Sequence, residues 1–243
     1  MPRFFVRQDQ INDGIVTIKG DDAHHISRSL RMAAGESITV CDMQKNEYEC
    51  CLEGFTDVVT ARIVSERHID CEMPCRVHLF QGLPKGDKLD TVIQKAVECG
   101  VYDITPFECD RCIVKVKPDA EPNKTARRCR IALETAKQSG RGIVPEVFPT
   151  CSFEQMLTCC TKYDGIVFCY EGDGTVGLKT LLPEMKNCKD IALVIGPEGG
   201  FSLDEVDKFR NIGAKPTGLG GRILRTETAA TFALACMTYE FEL

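Results

Sequence analysis

Three short, almost wholly apolar runs, at residues 77–81, 166–170 and 191–195, most constrain what this chain can fold into. Runs of this length without apolar–polar alternation belong to strands covered on both faces, as in a parallel sheet flanked by helices. All three lie beyond Arg76, where strand-like and helix-like stretches alternate, so an α/β domain is expected there. The first seventy residues read differently. Stretches at 3–7, 14–19, 36–42, 48–55 and 61–67 look like short strands separated by turn signals, with a hairpin loop at 43–47 and one helix at 21–32. That is the pattern of a small β-barrel, in which His24 and His25 are expected to pack. The junction at 69–74 is short and ends in proline, which predicts two touching domains, 1–72 and 73–243.

Several classes of protein are excluded early. No apolar run approaches the roughly 18 residues needed to span a bilayer, and the start, Met1-Pro2-Arg3-Phe4-Phe5, lacks the apolar core of a signal peptide; a cytoplasmic protein is expected. The 15 cysteines are scattered and include the adjacent pairs Cys50-Cys51 and Cys159-Cys160, so they read as small, reduced, buried residues. There is one Cys-x-x-Cys, Cys109 with Cys112, and His68, Cys71 and Cys75 lie upstream; without a second such pair no metal is expected. The net charge of −6 argues against indiscriminate coating of nucleic acid. Yet residues 111–141 hold nine basic and three acidic side chains, a local excess that suits phosphates as well as it suits a solvated helix face.

Two glycine-bearing segments carry most of the functional information. In Ile195-Gly196-Pro197-Glu198-Gly199-Gly200-Phe201 proline fixes one φ while the glycines permit close approaches, and Ser202-x-x-Glu205 then makes a capping box for a helix. The second segment, residues 219–229, repeats the scheme, with a bend at Gly218, Gly220 and Gly221 and Thr226 placed to cap the next helix. That helix, 229–241, is apolar on nearly every side through Phe232, Leu234 and Met237, which predicts burial or a subunit interface. Strand-to-helix turns expose main-chain N–H and C=O groups, so the pair predicts a small-molecule site built mostly from backbone. Tight turning alone accounts for the glycines but not for Arg222, Arg225 and Glu227 beside them.

Two other glycine patterns compete. The loop 82–88 resembles a phosphate-binding loop but is one residue short before Lys88 and has Leu89 where a hydroxyl should follow. Asp87 is instead placed to cap a helix whose apolar face is Leu89, Val92, Ile93, Ala96 and Val97, ending at Gly100. Gly172-x-Gly174-x-x-Gly177 matches the dinucleotide fingerprint, and a nicotinamide enzyme is the alternative enzymatic reading; only 178–185, containing Pro183, remain for the long helix it requires.

Taken together, IGPEGGF (195–201), LGGRILRTETA (219–229), GLPKGDK (82–88), IQKAVECGV (93–101), ITPFECDR (104–111), QSGR (138–141), the opening MPRFFV and the stretch 24–31 resemble the ribosomal small-subunit RNA methyltransferase E family of the SPOUT superfamily. The resemblance covers essentially the whole chain. It implies S-adenosylmethionine-dependent methylation of N3 of a uridine in 16S ribosomal RNA by a homodimer joined through its C-terminal domain. It implies a PUA-like β-barrel for RNA and a SPOUT domain whose parallel sheet carries a deep trefoil knot. Carried onto these residues, the methyl donor is held by Tyr170, Glu171 and Gly172; by Leu193, Ile195, Gly196, Pro197, Gly199 and Gly200; and by Leu219, Gly220, Ile223, Leu224 and Thr226. Arg225 is expected to stabilise a uracil anion, with Glu198 or Glu227 orienting it or accepting a proton. RNA contacts are expected from Arg3, Arg28 and Arg31, from Lys85, Lys95, Arg111, Gln138 and Arg141, and from Arg222. The chain departs from the family pattern at Gly221, usually proline, at Lys137, usually acidic, and at Cys99, usually leucine. A ribosome-binding protein that keeps the fold without the activity is the other alternative.

Overall fold

The computed structural model describes residues 1–243, and the chain separates into two units: Met1–Glu72 with Ala136–Val144, and Met73–Thr135 with Pro145–Leu243. In the first, six strands form one sheet: β1 (Arg3–Phe5), β2 (Ile11–Asn12), β3 (Ile15–Ile18), β4 (Ser37–Cys41), β5 (Asn46–Phe55) and β6 (Val59–His68), in the order β1-β4-β5-β6-β3-β2. All neighbours are antiparallel except β1 and β4. Alternation along the strands turns Phe4, Val16, Ile18, Ile38, Cys50, Leu52 and Ala61 into one apolar core. The β4–β5 hairpin closes because Asp42 accepts hydrogen bonds from the N–H groups of Gln44 and Asn46, with Met43 and Lys45 at positive φ.

The helix expected at 21–32 is shorter and changes pitch: α1 (Gly20–His24) runs into one π turn at His25–Ser29. Ala23 and Ile26 take the inward positions, so His24 and His25 lie exposed rather than packed in the interior. Arg141 is buried, its guanidinium forked onto the Glu72 carboxylate at 2.5 and 2.9 Å.

The second unit alternates strand and helix: β7 (Arg76–Gly82), α2 (Lys88–Glu98), β8 (Asp103–Glu108), α3 (Glu121–Ser139, whose residues from Ala136 on belong to the first unit), β9 (Glu146–Val147), β10 (Cys151–Ser152), α4 (Phe153–Cys160), β11 (Gly165–Cys169), β12 (Val176–Gly177), α5 (Leu178–Leu181), β13 (Asp190–Ile195), α6 (Leu203–Asn211), β14 (Pro216–Gly218) and α7 (Thr226–Phe241). The sheet order is β10-β8-β7-β13-β11-β14-β12, with β9 beside β8. Every pairing is parallel. The mixed α/β architecture with a parallel sheet therefore matches the apolar runs. Ile191 to Ile195 are buried without alternation because both faces of β13 are covered.

Helix ends follow local chemistry in part. The Ser202/Glu205 capping box forms at α6, and Gly100, at φ +85°, ends the turn after α2. Asp87 precedes α2 without a side-chain cap. The Gly172-x-Gly174-x-x-Gly177 segment leads only into the four-residue α5, too short for a dinucleotide-binding helix. α7 buries Ala230, Ala233, Leu234 and Met237 but leaves Phe232 and Tyr239 substantially exposed. No helix is long and apolar enough to cross a membrane.

Candidate active site

Strands β11, β13 and β14 lie side by side and run the same way, so the loops leaving their C-terminal ends meet. In open parallel sheets ligands bind at this end, where strand order reverses direction from the path of the chain. Here the loops enclose a cavity of about 730 Å³, a volume suited to a cofactor-sized molecule. Its walls come from Tyr170 and Glu171 after β11; from Ile195, Gly196, Pro197, Glu198 and Gly200 after β13; and from Leu219, Gly220, Arg222, Ile223, Leu224 and Arg225 after β14. Thr226 and Ala229 close it from the first turn of α7. Two glycines make the geometry possible. A Cβ on Gly82 would lie 2.6 Å from the Pro197 backbone nitrogen, and Gly200, at φ +64°, sits where any Cβ would collide with the Glu171 carboxylate.

A buried hydrogen-bond chain ties the walls together. The Gln81 side-chain amide donates to the Thr226 hydroxyl at 2.8 Å, and that hydroxyl donates to the Gly196 carbonyl at 2.6 Å. Thr226 is therefore not a helix cap. Arg225 takes the cap position with extended backbone, and Thr226 turns inward to join β7, the β13 loop and α7. Gln81, Gly196 and Thr226 are separated by more than a hundred residues at the extremes, so no local pattern marks this role.

The charged groups differ in how far they are satisfied. Glu198 accepts from the Lys88 ammonium at 2.6 Å and from the Lys85 N–H at 3.2 Å. Burial opposes its charge, but these donors outweigh that and hold its carboxyl below the ordinary range, so it stays ionised. Glu227 lies off the cavity wall; one of its oxygens is buried without a partner, 4.0 Å from the Lys88 ammonium. Arg222 and Arg225 line the cavity, exposed, their guanidinium groups without a hydrogen bond or ion pair inside the chain.

Not every expected site residue reaches this cavity. Leu193 is fully buried in mid-strand, two residues and so roughly 7 Å below the strand end. Gly172 is folded over the Tyr170 ring, and Gly199 faces Arg111, whose guanidinium donates to its carbonyl at 3.0 Å. Lys88, Cys169, Thr175, Gly218, Gly221 and Ala229 also line the cavity, although none was among the expected donor-binding residues; Gly218, Gly221 and Ala229 lie in or beside the second glycine-bearing segment, which was the available signal for them.

The expected RNA contacts are dispersed. Arg28, Arg31, Lys85, Arg111 and Gln138 are exposed, and Lys95 pairs with Glu98 at 2.8 Å. Arg3 is largely buried against Glu47 and the Cys41 sulfur, and Arg141 is enclosed against Glu72, so both serve the packing of the first unit rather than its surface.

Main-chain walls around a cofactor-sized cavity, with two lining arginines whose side chains have no partner in the chain, suit a group-transfer enzyme. The model of an RNA methyltransferase domain matches residues 71–238, and that of an RNA methyltransferase PUA domain matches 18–57. A ribosomal RNA small subunit methyltransferase E of Bacillus subtilis is 34% identical, over 100% of this chain and 98% of its own length. The chain belongs to the ribosomal RNA small subunit methyltransferase E family. Among solved structures, the Neisseria gonorrhoeae methyltransferase E bound to S-adenosyl methionine is 29% identical, with a TM-score of 0.86 over 99% of this chain and 98% of that one. A Legionella pneumophila protein solved with the cofactor SAM bound gives 29% identity and a TM-score of 0.86 over 98% and 96%.

Proposed function

We propose that the chain binds S-adenosylmethionine in the 730 Å³ cavity and methylates N3 of a uridine in 16S ribosomal RNA. The convergence of three strand ends on one backbone-lined cavity in a member of this family carries the reading. The residues present suit the donor. Main-chain groups at Gly196, Gly200, Leu219, Gly220 and Leu224 suit an adenine and its ribose, Ile195, Leu219, Ile223 and Leu224 offer apolar walls, and Glu171 and Glu198 favour a cation. S-adenosylmethionine supplies an electrophilic methyl group when bound. The chain's part is to align the uracil with it and to exclude water, which strengthens every charge interaction at the site.

Uracil N3 carries a proton at neutral pH, so the chain must also manage a developing anion. Arg225, unpaired at the cavity, is placed to stabilise that anion, and Arg222 to hold RNA phosphate. Glu198 is committed to Lys88 and works as a fixed charge. Glu227, with an oxygen that no hydrogen bond holds, is the better proton acceptor of the two.

The wider reading has four further parts. The segments at 170–172, 195–200 and 218–226 form a deep trefoil knot, a reading supported by β11 lying between β13 and β14. The residues 1–72 act as a PUA-like barrel for RNA and 73–243 as the methyltransferase domain. The exposed apolar face of α7, with Phe232 and Tyr239, pairs two copies into a homodimer. The protein works in the cytoplasm, on the small ribosomal subunit. Calorimetry with S-adenosylmethionine and mass mapping of 16S RNA from cells lacking the gene, with and without its return, test the core of this. Donor binding and a uridine methyl restored only by the returned gene are expected; binding without restored methylation would leave a ribosome-binding protein.

A further inference from the structure

The Cys-x-x-Cys of this chain sits against the turn that forms one wall of the cavity. Cys109 follows β8, and the Cys112 N–H donates to the Cys109 carbonyl at 3.1 Å, closing a tight turn that puts both sulfurs on one side. The sulfurs are 3.4 Å apart, a little over an ångström from disulfide bonding distance, and the Cys109 N–H points at the Cys112 sulfur at 3.4 Å. The two residues between the cysteines grip the cavity turn. The Arg111 guanidinium donates to the Gly199 carbonyl at 3.0 Å, and the Arg111 Cβ fills the space a side chain on Gly199 would need. The Asp110 N–H donates to Glu205 at 2.9 Å, and the Asp110 carboxylate accepts from the Ser202 hydroxyl at 2.8 Å. Ser202 and Glu205 are the capping box of α6, the helix that follows the turn.

We propose that Cys109 and Cys112 form a redox-active dithiol that a small hydroperoxide converts to a disulfide, and that closing this bond disturbs the Gly196–Gly200 turn and weakens occupancy of the cavity. The assignment of chemistry to the pair rests on the sulfur geometry; its consequence for the methyl donor rests on the proposed function above. Cys112 is set up as the attacking sulfur. Although burial opposes the charge, the contact with the Cys109 thiol, the Cys109 and Leu83 N–H groups and Lys115 hold its thiol below the ordinary range. At Cys50 and Cys160 burial is not outweighed, and their thiols are pushed up to about 12. With Cys112 only 5% exposed, the oxidant must be small.

The steps balance. The Cys112 thiolate attacks a peroxide oxygen, an S–O bond forms as the O–O bond breaks, and the departing oxygen takes a proton to leave as water or an alcohol. The Cys109 sulfur then attacks Cys112; the S–S bond forms, the S–O bond breaks, and the hydroxyl leaves as water with the Cys109 proton. Two thiols lose two electrons in all, and the peroxide gains them.

The test treats the full-length reduced protein with hydrogen peroxide, removes the peroxide, blocks remaining thiols in denaturant and maps peptides by mass. Calorimetry with S-adenosylmethionine is run on the reduced, oxidised and re-reduced protein. The expected result is a Cys109–Cys112 disulfide formed before oxidation of the exposed Cys129, a donor affinity weakened roughly tenfold, and full recovery with a dithiol reductant. Cys112→Ser and, separately, Cys109→Ser should bind donor normally and lose the response. Absence of that disulfide overturns the proposal, and a disulfide with unchanged donor affinity overturns the coupling. If no state binds donor, the cavity reading falls instead, and the mass map still decides the dithiol.

Discussion

The two ends of the parallel sheet are built on opposite terms. At the end where the strands begin, His78 is buried between Asp103, at 2.8 Å, and Asp190, at 3.0 Å, stacked on Tyr163, while Arg76 forks onto the same Asp190 at 2.5 and 2.6 Å. Each of these charges has its counterpart. At the end where the strands finish, Arg222 and Arg225 have no partner in the chain and Glu227 keeps an oxygen unsatisfied. A closed set of charges holds a structure together, whereas an open set is completed by something that binds.

Four substitutions or titrations would break or sharpen that contrast. The largest effect is expected from Arg225→Ala, which should lower methyl transfer to RNA by roughly a hundred- to a thousandfold in single-turnover assays, with donor affinity and thermal midpoint held. Wild-type rates would remove Arg225 from the chemistry. At the closed end the reverse is expected: His78→Leu leaves Asp103 without its partner while Asp190 keeps Arg76, and should cost about 3 kcal/mol in urea unfolding, with donor affinity of the folded protein unchanged.

The pH dependence of stability sharpens the same point. Although burial opposes its charge, the flanking carboxylates raise the His78 imidazole above its ordinary 6.5, so its contribution is full below that value and fades as pH rises through the raised one. Asp190 is held below 3.8, chiefly by Arg76 and against burial, so its contribution is present above that value and fades as pH falls. Unfolding midpoints should therefore peak between the two and decline toward alkaline pH, and the alkaline decline should flatten in His78→Leu. A smaller effect is expected at the hinge of the open end. Thr226→Val preserves shape but removes one of the two acceptors of the Gln81 amide, which keeps the Gly82 carbonyl, and takes the hydroxyl donor from the Gly196 carbonyl; it should cost about 1–3 kcal/mol of stability and weaken donor binding in calorimetry.

Legibility in the sequence differed in the same way. The runs at 77–81, 166–170 and 191–195 became β7, β11 and β13 because burial on both faces leaves a local compositional mark. The Ser202/Glu205 box was equally readable, since both partners lie within one turn. The strands β9, β10 and β12, two residues each, are too short for any period to show. Lys88 read as the end of an imperfect phosphate-binding loop, and only packing of α2 beside the β13 loop made it the partner of Glu198. Arg141 belonged to a family-like motif on the sequence, yet the fold encloses it with Glu72.

By itself, then, the sequence determined the alternation of elements, the parallel sheet and the turns that wall the cavity, because periodicity, glycine and capping act over a few residues. Tertiary structure decided which charges were paired off and which were left open, brought Gln81, Gly196 and Thr226 into one chain, and set the Cys109–Cys112 turn against the cavity turn. Those facts depend on contacts between segments far apart along the chain, and only the packed sheet brings such segments together.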